Sequence, residues 1–495
     1  MAGKIAKNTL FLTIAYIGQK IFSFVYFSLI ARFIGVEKIG LYVTALSFSS
    51  LFSIFADLGL TQVLIREGAR DKKNLDKILS QIVIIKLLLA ILAYLILNLL
   101  VFLLGYEAEL RQLVFVSGIL MILDSLTLSF FGVLRALEDL RYEATAVVIG
   151  QVIIVVCGLF VAFLHLPVLF LLLALGMGSL FNLFFSFGMV YRKGIRLKLV
   201  WDKKFSGSVI KLSLAFALAG IFSKVYSYID SVLLSYLAGT KNVGFYSIPN
   251  KIVFAFQFVP MAFSASLYPA MSQFFISEKI KLKYTFEKAF NYLMILAAPL
   301  AVGIYVIADV FINKVYGTEY APSIIALRIL VFGLIFAFLD FPVGALLNAC
   351  NKQNIQTAVM GATMVLNIIL NIILIPLWGI NGASVAAVIG NFTLLFLGFL
   401  WVPQIIGRFS IWFWFKNIKI IICAGAMGFF LTFFKKWFLS VISPVGFIHT
   451  LIFLGTLIFL GALFYFLILW ISGILTQKEI KEILSMFSRK KYGEE

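Results

Sequence analysis

Long apolar stretches separated by short polar connections run through nearly the whole chain. A stretch of roughly 20 apolar residues is enough to cross the hydrocarbon of a bilayer as a helix. Such stretches can be placed fourteen times, near 10–33, 40–64, 78–104, 112–134, 143–164, 168–190, 210–236, 244–272, 287–312, 322–347, 355–376, 381–403, 416–434 and 446–472. The pattern predicts an all-α integral membrane protein of about fourteen transmembrane helices. Its connections leave no room for a folded soluble domain. The basic opening from Met1 to Asn8 runs into the first span with no small-residue cleavage site, so it reads as the start of that span and not as a removable signal.

Part of the pattern occurs twice. Gly35-Val36-Glu37-Lys38-Ile39-Gly40-Leu41-Tyr42 returns as Gly239-Thr240-Lys241-Asn242-Val243-Gly244-Phe245-Tyr246, 204 positions on. Fifteen residues before each leading glycine stands a lysine inside a span, Lys20 and Lys224. A weaker echo links Gly132-Val133-Leu134 to Gly344-Ala345-Leu346. An even number of spans separates the copies, so both run the same way. That predicts two six-helix bundles in a parallel pseudo-two-fold repeat. The expected division is an N-terminal lobe over 1–190, a basic linker over 191–206, a second lobe over 207–403, two extra helices over 404–475 and a charged tail over 476–495, with the tail at the inner surface.

Composition supports the membrane assignment. Hydrophobic residues make up 62% of the 495 and charged ones 13%, about half the share of soluble domains, and mean hydropathy is +1.07. The net charge of +19 would suit nucleic acid, but its distribution points elsewhere. With the N-terminus inside, lysine and arginine favour the inner loops by roughly four to one, which places both termini in the cytoplasm of a plasma-membrane protein. That basic surface faces anionic lipids and requires no nucleic acid. Cys157, Cys350 and Cys423 are scattered through apolar sequence, and His165 and His449 stand near span ends, so neither a disulfide framework nor a metal site is expected. No Gly-rich loop ending in Lys-Ser/Thr is present, so the chain is not itself a P-loop ATPase, and its energy source is an ion gradient, the membrane potential or consumption of product.

A charge at mid-membrane costs about 2.5–3.5 kcal/mol on insertion scales and so usually faces a cavity or a partner. Lys20 shares a helical stripe with Tyr16 and Ser23, and Lys224 one with Tyr228. Lys251, Arg32 and Arg328 extend the candidate cationic set outward. Together they predict a cavity that attracts an anion. The plain alternative is that each cation snorkels or pairs with an acid. Asp57, Asp124, Asp230 and Asp340 are the membrane carboxylates, suited either to carrying H+ or Na+ or to pairing with a cation. Bracing the inner end of the second span is the stronger reading for Asp57. Asn367 and Asn371, four apart, are expected to bond across helices.

Several stretches resemble the polysaccharide-exporter, or lipid-linked oligosaccharide flippase, family of the multidrug/oligosaccharidyl-lipid/polysaccharide exporter superfamily. They are Ala31-Arg32-Phe33-Ile34-Gly35 running on to Gly40-Leu41-Tyr42, Asp57-Leu58-Gly59-Leu60 with Arg66, and Asp230 leading into Gly239 and Val243-Gly244-Phe245-Tyr246. Asn367-Ile368-Ile369-Leu370-Asn371 with Ile375-Pro376 and Gly379-Ile380-Asn381-Gly382-Ala383 completes the set. The resemblance implies two bundles facing each other in a V, and movement of a polyprenyl-linked sugar from the inner to the outer leaflet without a cofactor. On this reading the chain is a monomer, and its partners are the lipid-linked glycan, membrane lipids and glycan-assembly enzymes. A multidrug or toxin extruder of organic cations is the alternative, but it should centre on carboxylates. A glycosyltransferase or polymerase would need larger outer loops than these.

Overall fold

The computed structural model describes residues 2–198, 202–441 and 446–475. Lipid offers no partner to a bare peptide group, so a spanning chain satisfies its N–H and C=O groups within helices. All regular structure among the described residues is helical. Among the described residues, fourteen helical stretches, from Phe11–Ile34 to His449–Ile471, are long and apolar enough to cross a membrane. The expected tail at 476–495 lies outside the described residues.

Two compact units emerge, one of residues 1–258 with 357–390, the other of 259–356 with 391–495. The first holds α1 (Ala2–Ile34), α2 (Val36–Asp57), α3 (Leu60–Arg70), α4 (Leu75–Leu103), α5 (Ala108–Ala136), α6 (Leu140–Phe163), α7 (Val168–Arg192), α8 (Lys203–Ala238) and α9 (Thr240–Phe256). The second begins with α10 (Phe258–Ser277), α11 (Lys279–Phe311) and α12 (Ser323–Ala349). Most of α13 (Gln353–Trp378) belongs to the first unit, and α14 (Ile380–Phe399) passes from first to second. The second then closes with α15 (Val402–Ile406), α16 (Ile411–Val441) and α17 (Phe447–Ile471).

Two expected spans are each two helices. The stretch at 40–64 breaks after Asp57, where Leu58 (φ 42°) and Gly59 (φ 77°) turn left-handed. Thr61 donates to Asp57 Oδ1 from its hydroxyl at 2.5 Å and its N–H at 3.3 Å, which fixes the new start. Beyond the break, α3 lays Leu60, Val63 and Leu64 on a core shared with Leu79, Ile82 and Phe131. Its other face stays polar, as an amphipathic helix at a membrane surface requires. The stretch at 244–272 breaks at Gln257, three residues before Pro260, which has no N–H to give and crowds the carbonyl one turn back.

The duplicated glycines do matched work. Gly35 (φ 81°, ψ 168°) starts α2 and Gly239 (φ 88°, ψ 157°) starts α9, in a backbone region that side chains rarely tolerate. Five residues on, the helices cross at backbone contact. A Cβ on Gly40 would sit 2.1 Å from the Thr240 carbonyl oxygen, and one on Gly244 would sit 2.2 Å from that of Val36. The approach is reciprocal, since Val36 and Thr240 are themselves 204 positions apart.

The linker is fastened to α4. The Lys198 N–H donates to Ser80 Oγ at 2.9 Å, the Asp202 N–H to Gln81 Oε1 at 3.3 Å, and Lys77 Nζ meets Asp202 at 2.8 Å. Asp139, in the turn before α6, takes Arg141 at 2.7 Å and Lys193 at 2.5 Å. Partial burial pushes its carboxyl pKa up, but the two cations outweigh that and hold it below its ordinary value.

In the second unit α11 is the hub for α12, α16 and α17. Lys435 on α16 reaches both oxygens of Asp309, at 2.8 and 2.9 Å, and the Val306 carbonyl at 2.8 Å. Tyr465 on α17 donates to the Ile295 carbonyl at 3.0 Å.

Candidate functional site: lysines on aromatic faces

Lys20 and Lys251 each reach across to the other helix where α1 packs on α9. The Lys20 ammonium stands 5.5 Å from the centre of the Phe254 ring, and that of Lys251 stands 5.2 Å from the Phe27 ring. Each helix thus offers one cation and one aromatic face to the other. A ring face attracts a cation by its quadrupole. Lys251 is exposed and Lys20 half-buried, so neither is sealed in the core. Lys224, on α8, lies 5.4 Å from the Tyr228 ring one turn along and within electrostatic reach of Asp124 on α5. Asp124 also accepts a hydrogen bond from Ser179.

Other members of the expected set lie in different surroundings. Tyr16 gives its hydroxyl to Glu143 at 2.6 Å, and Glu143, wholly buried, is clasped by Arg135 through Nε at 2.8 Å and an η nitrogen at 2.5 Å. The Tyr16 hydroxyl therefore ties α1 to α5 and α6. Ser23 is half-buried on α1, and Arg32 is exposed at the end of that helix. Arg328 belongs to the second unit, where it stands 5.4 Å from the Tyr305 ring and 3.9 Å from Asp309.

The carboxylates divide by environment. Asp57 pairs with Lys86 at 2.5 Å, and the wholly buried Lys86 ammonium also reaches Thr61 Oγ1 at 2.7 Å and the Ser125 carbonyl at 3.1 Å. Asp57 is thereby tied to a partner from α4. Asp230 on α8 accepts from Asn371 Nδ2 at 2.8 Å and from the Tyr246 hydroxyl at 3.2 Å. The buried acceptor Oδ1 of Asn371 and the hydroxyl of Thr363, on the same helix, hold no hydrogen-bond partner. The 204-residue offset sets Asp230 on Tyr26 and Tyr246 on Tyr42, and Tyr26 does lie beside Tyr42. One copy presents a carboxylate where the other presents a phenol. Asp340 lies on α12 two residues before Pro342, its Oδ1 4.0 Å from where a Cβ on Gly398 would be.

Lys86, Arg135 and Glu143 escaped the sequence reading. Lys86 gives the same signal as Lys20, a charge inside an apolar run, but its partner lies 29 positions away on another helix.

Fourteen membrane-length helices, broken at special backbone positions and carrying buried and half-buried charges, define a polytopic α-helical membrane protein. A model of the family described as polysaccharide biosynthesis protein matches residues 5–275, and the chain belongs to that family. A MatE model matches 215–373. An uncharacterized membrane protein of Methanocaldococcus jannaschii is 26% identical over 490 residues, covering 91% of this chain and 92% of that protein. The probable low-salt glycan biosynthesis flippase Agl15 of Haloferax volcanii is 27% identical over 177 residues, 36% of this chain and 37% of its own. The lipid II flippase MurJ, in an inward closed conformation, shares the fold with a TM-score of 0.73 at 18% identity, over 93% of this chain and 98% of that one.

Proposed function

We propose that the protein is a flippase that carries a polyprenyl-phosphate- or diphosphate-linked oligosaccharide from the cytoplasmic to the outer leaflet by alternating access. The observation that carries this reading is the pair Lys20 and Lys251, cations held on aromatic faces where two membrane helices meet. Phosphate oxygens are strong acceptors for ammonium groups, and among the described residues neither lysine is paired with a carboxylate. Lys224 adds a third cation, and the family and the flippase relative support the same substrate class. The basic loops are cytoplasmic in this reading, and the chain works without a catalytic step of its own. It is built as two duplicated bundles.

A proton or sodium ion couples transport in this proposal. Asp230 is the preferred carrier, because it is the membrane carboxylate surrounded by amide and hydroxyl groups instead of a lysine.

The MatE match over 215–373 favours a second reading, extrusion of organic cations. Lysines at the helix contact repel such cargo, so this reading ranks below the first. Complementation decides between them: in a host lacking its own flippase, the wild-type chain should restore surface glycan, and Lys20→Ala/Lys251→Ala should lower export at least tenfold while protein level is unchanged. Full export by that variant, or drug resistance conferred by the wild type without glycan export, would overturn the proposal.

A further inference from the structure

We propose that the segment 476–495 docks as an amphipathic helix on an exposed apolar tip of the second unit, where α10 turns into α11. The contact lies wholly within that unit and holds whatever the protein transports. Ile276, Ile280 and Tyr284 mark the tip, at 88%, 86% and 61% exposure. Ile280 and Tyr284 lie one turn apart on α11, on the face opposite the wholly buried Leu282 and Phe286. Their neighbours Glu278, Lys279 and Lys281 are exposed as well. Charges are costly in hydrocarbon. At 33 residues, α11 is about 50 Å long, against about 30 Å of hydrocarbon in a bilayer. The tip therefore stands beyond the acyl chains, with its isoleucines uncovered among the described residues. Contiguous apolar surface left open to water marks a place where something binds.

The sequence after Leu475 supplies a matching face. Thr476-Gln477-Lys478-Glu479 has the spacing of a capping box, and Leu475 with Ile480 that of a hydrophobic staple, so a helix is signalled from Gln477 onward. Ile480, Ile483, Leu484 and Phe487 would share one side of it, with Lys481, Ser485 and Arg489 away from them. The path of α17 brings this segment to the tip. Its Tyr465 hydroxyl donates to the Ile295 carbonyl of α11 at 3.0 Å, and α17 also touches the turn Ile312–Tyr316 at the far end of α11. From Ile295 that turn is about 25 Å away, whereas α17 runs only about 9 Å from Tyr465 to its end at Ile471. The Phe447 end must therefore make the far contact, and the Ile471 end points towards the tip. Ile280 lies about 22 Å from Ile295, hence roughly 13 Å beyond the last turn of α17, on an axis roughly 8–10 Å away. Gly473 (φ 71°) turns the chain off α17, and the buried Ile474 and Leu475 hold it against the second unit. A helix begun there extends its apolar stripe over about 10 Å from Ile480 to Phe487, the span needed to cover Tyr284 and Ile280.

Thiol labelling tests the contact in the full chain carrying Cys157→Ala, Cys350→Ala and Cys423→Ala. With Ile280→Cys added, a membrane-impermeant maleimide should react at least fivefold more slowly than in the same chain stopped after Leu475, in detergent and in liposomes alike. Ile483→Asp/Leu484→Asp in the full-length chain should speed labelling as much as the truncation does, with no change in melting temperature. Oxidation should join the thiols of Ile280→Cys/Leu484→Cys and spare those of Ile280→Cys/Lys481→Cys, read as thiols lost and then recovered on reduction. Equal labelling with and without the segment, protection that persists after truncation (from lipid or from a second copy), or equal joining at 481 and 484 would each overturn the assignment.

Discussion

The side chains that decide most are lysines, and they do two different jobs. Lys86 is structural: it is wholly buried and spends its ammonium on Asp57, Thr61 and the Ser125 carbonyl. Removing one member of a buried pair leaves the other charge uncompensated, at about 3–5 kcal/mol. Lys86→Ala should therefore lower the melting temperature sharply in detergent, and Lys86→Ala/Asp57→Ala should recover part of the loss. Lys20 and Lys251 rest on rings, so their alanine variants should fold normally and fail only in transport. A third expectation concerns Asp139. Its carboxyl is depressed in the folded protein, so the stability it adds is present above its unfolded pKa and disappears as pH falls through the lower folded value. Asp139→Asn should accordingly lower the melting temperature at neutral pH and shrink the gap to wild type in strong acid. Charges inside apolar runs were legible in the sequence as exceptional residues. Their partners were not, because Asp57 and Lys86 meet only when α2 and α4 pack, and no spacing along one helix records that.

At the level of elements, the sequence showed where helices lie better than where they stop. Gly59 and Pro260 are both visible inside the apolar runs they interrupt, yet hydropathy carries no trace of a left-handed Leu58. The matched glycines were legible as a repeated pattern, but their contact was not. The crossing of α2 and α9 yields a sharp expectation. A side chain at Gly40 or Gly244 would collide with backbone carbonyl oxygen, which cannot rotate away. Overpacking typically costs about 1–3 kcal/mol, and here the helices themselves must move apart. Gly40→Leu and Gly244→Leu should each reduce folded yield, measured by size-exclusion of the detergent-solubilised chain. Gly18→Leu, where a Cβ meets nothing within 4 Å, should be tolerated.

For the whole molecule, membrane class and span number came directly from the apolar runs, and the described residues hold fourteen helices of that kind. The expected lobes put Lys20 apart from Lys224, Lys251 and Arg328, whereas Lys20, Lys224 and Lys251 share the first unit and Arg328 belongs to the second. The stretch from 191 to 206 reads in the sequence as a basic linker, and its residues at 198 and 202 are hooked by Ser80, Gln81 and Lys77. Non-covalent hooks on both flanks make the peptide bond between them expendable. Two polypeptides, one ending at 200 and the other beginning at 201, should find each other when made together in one cell and assemble into a working nicked protein.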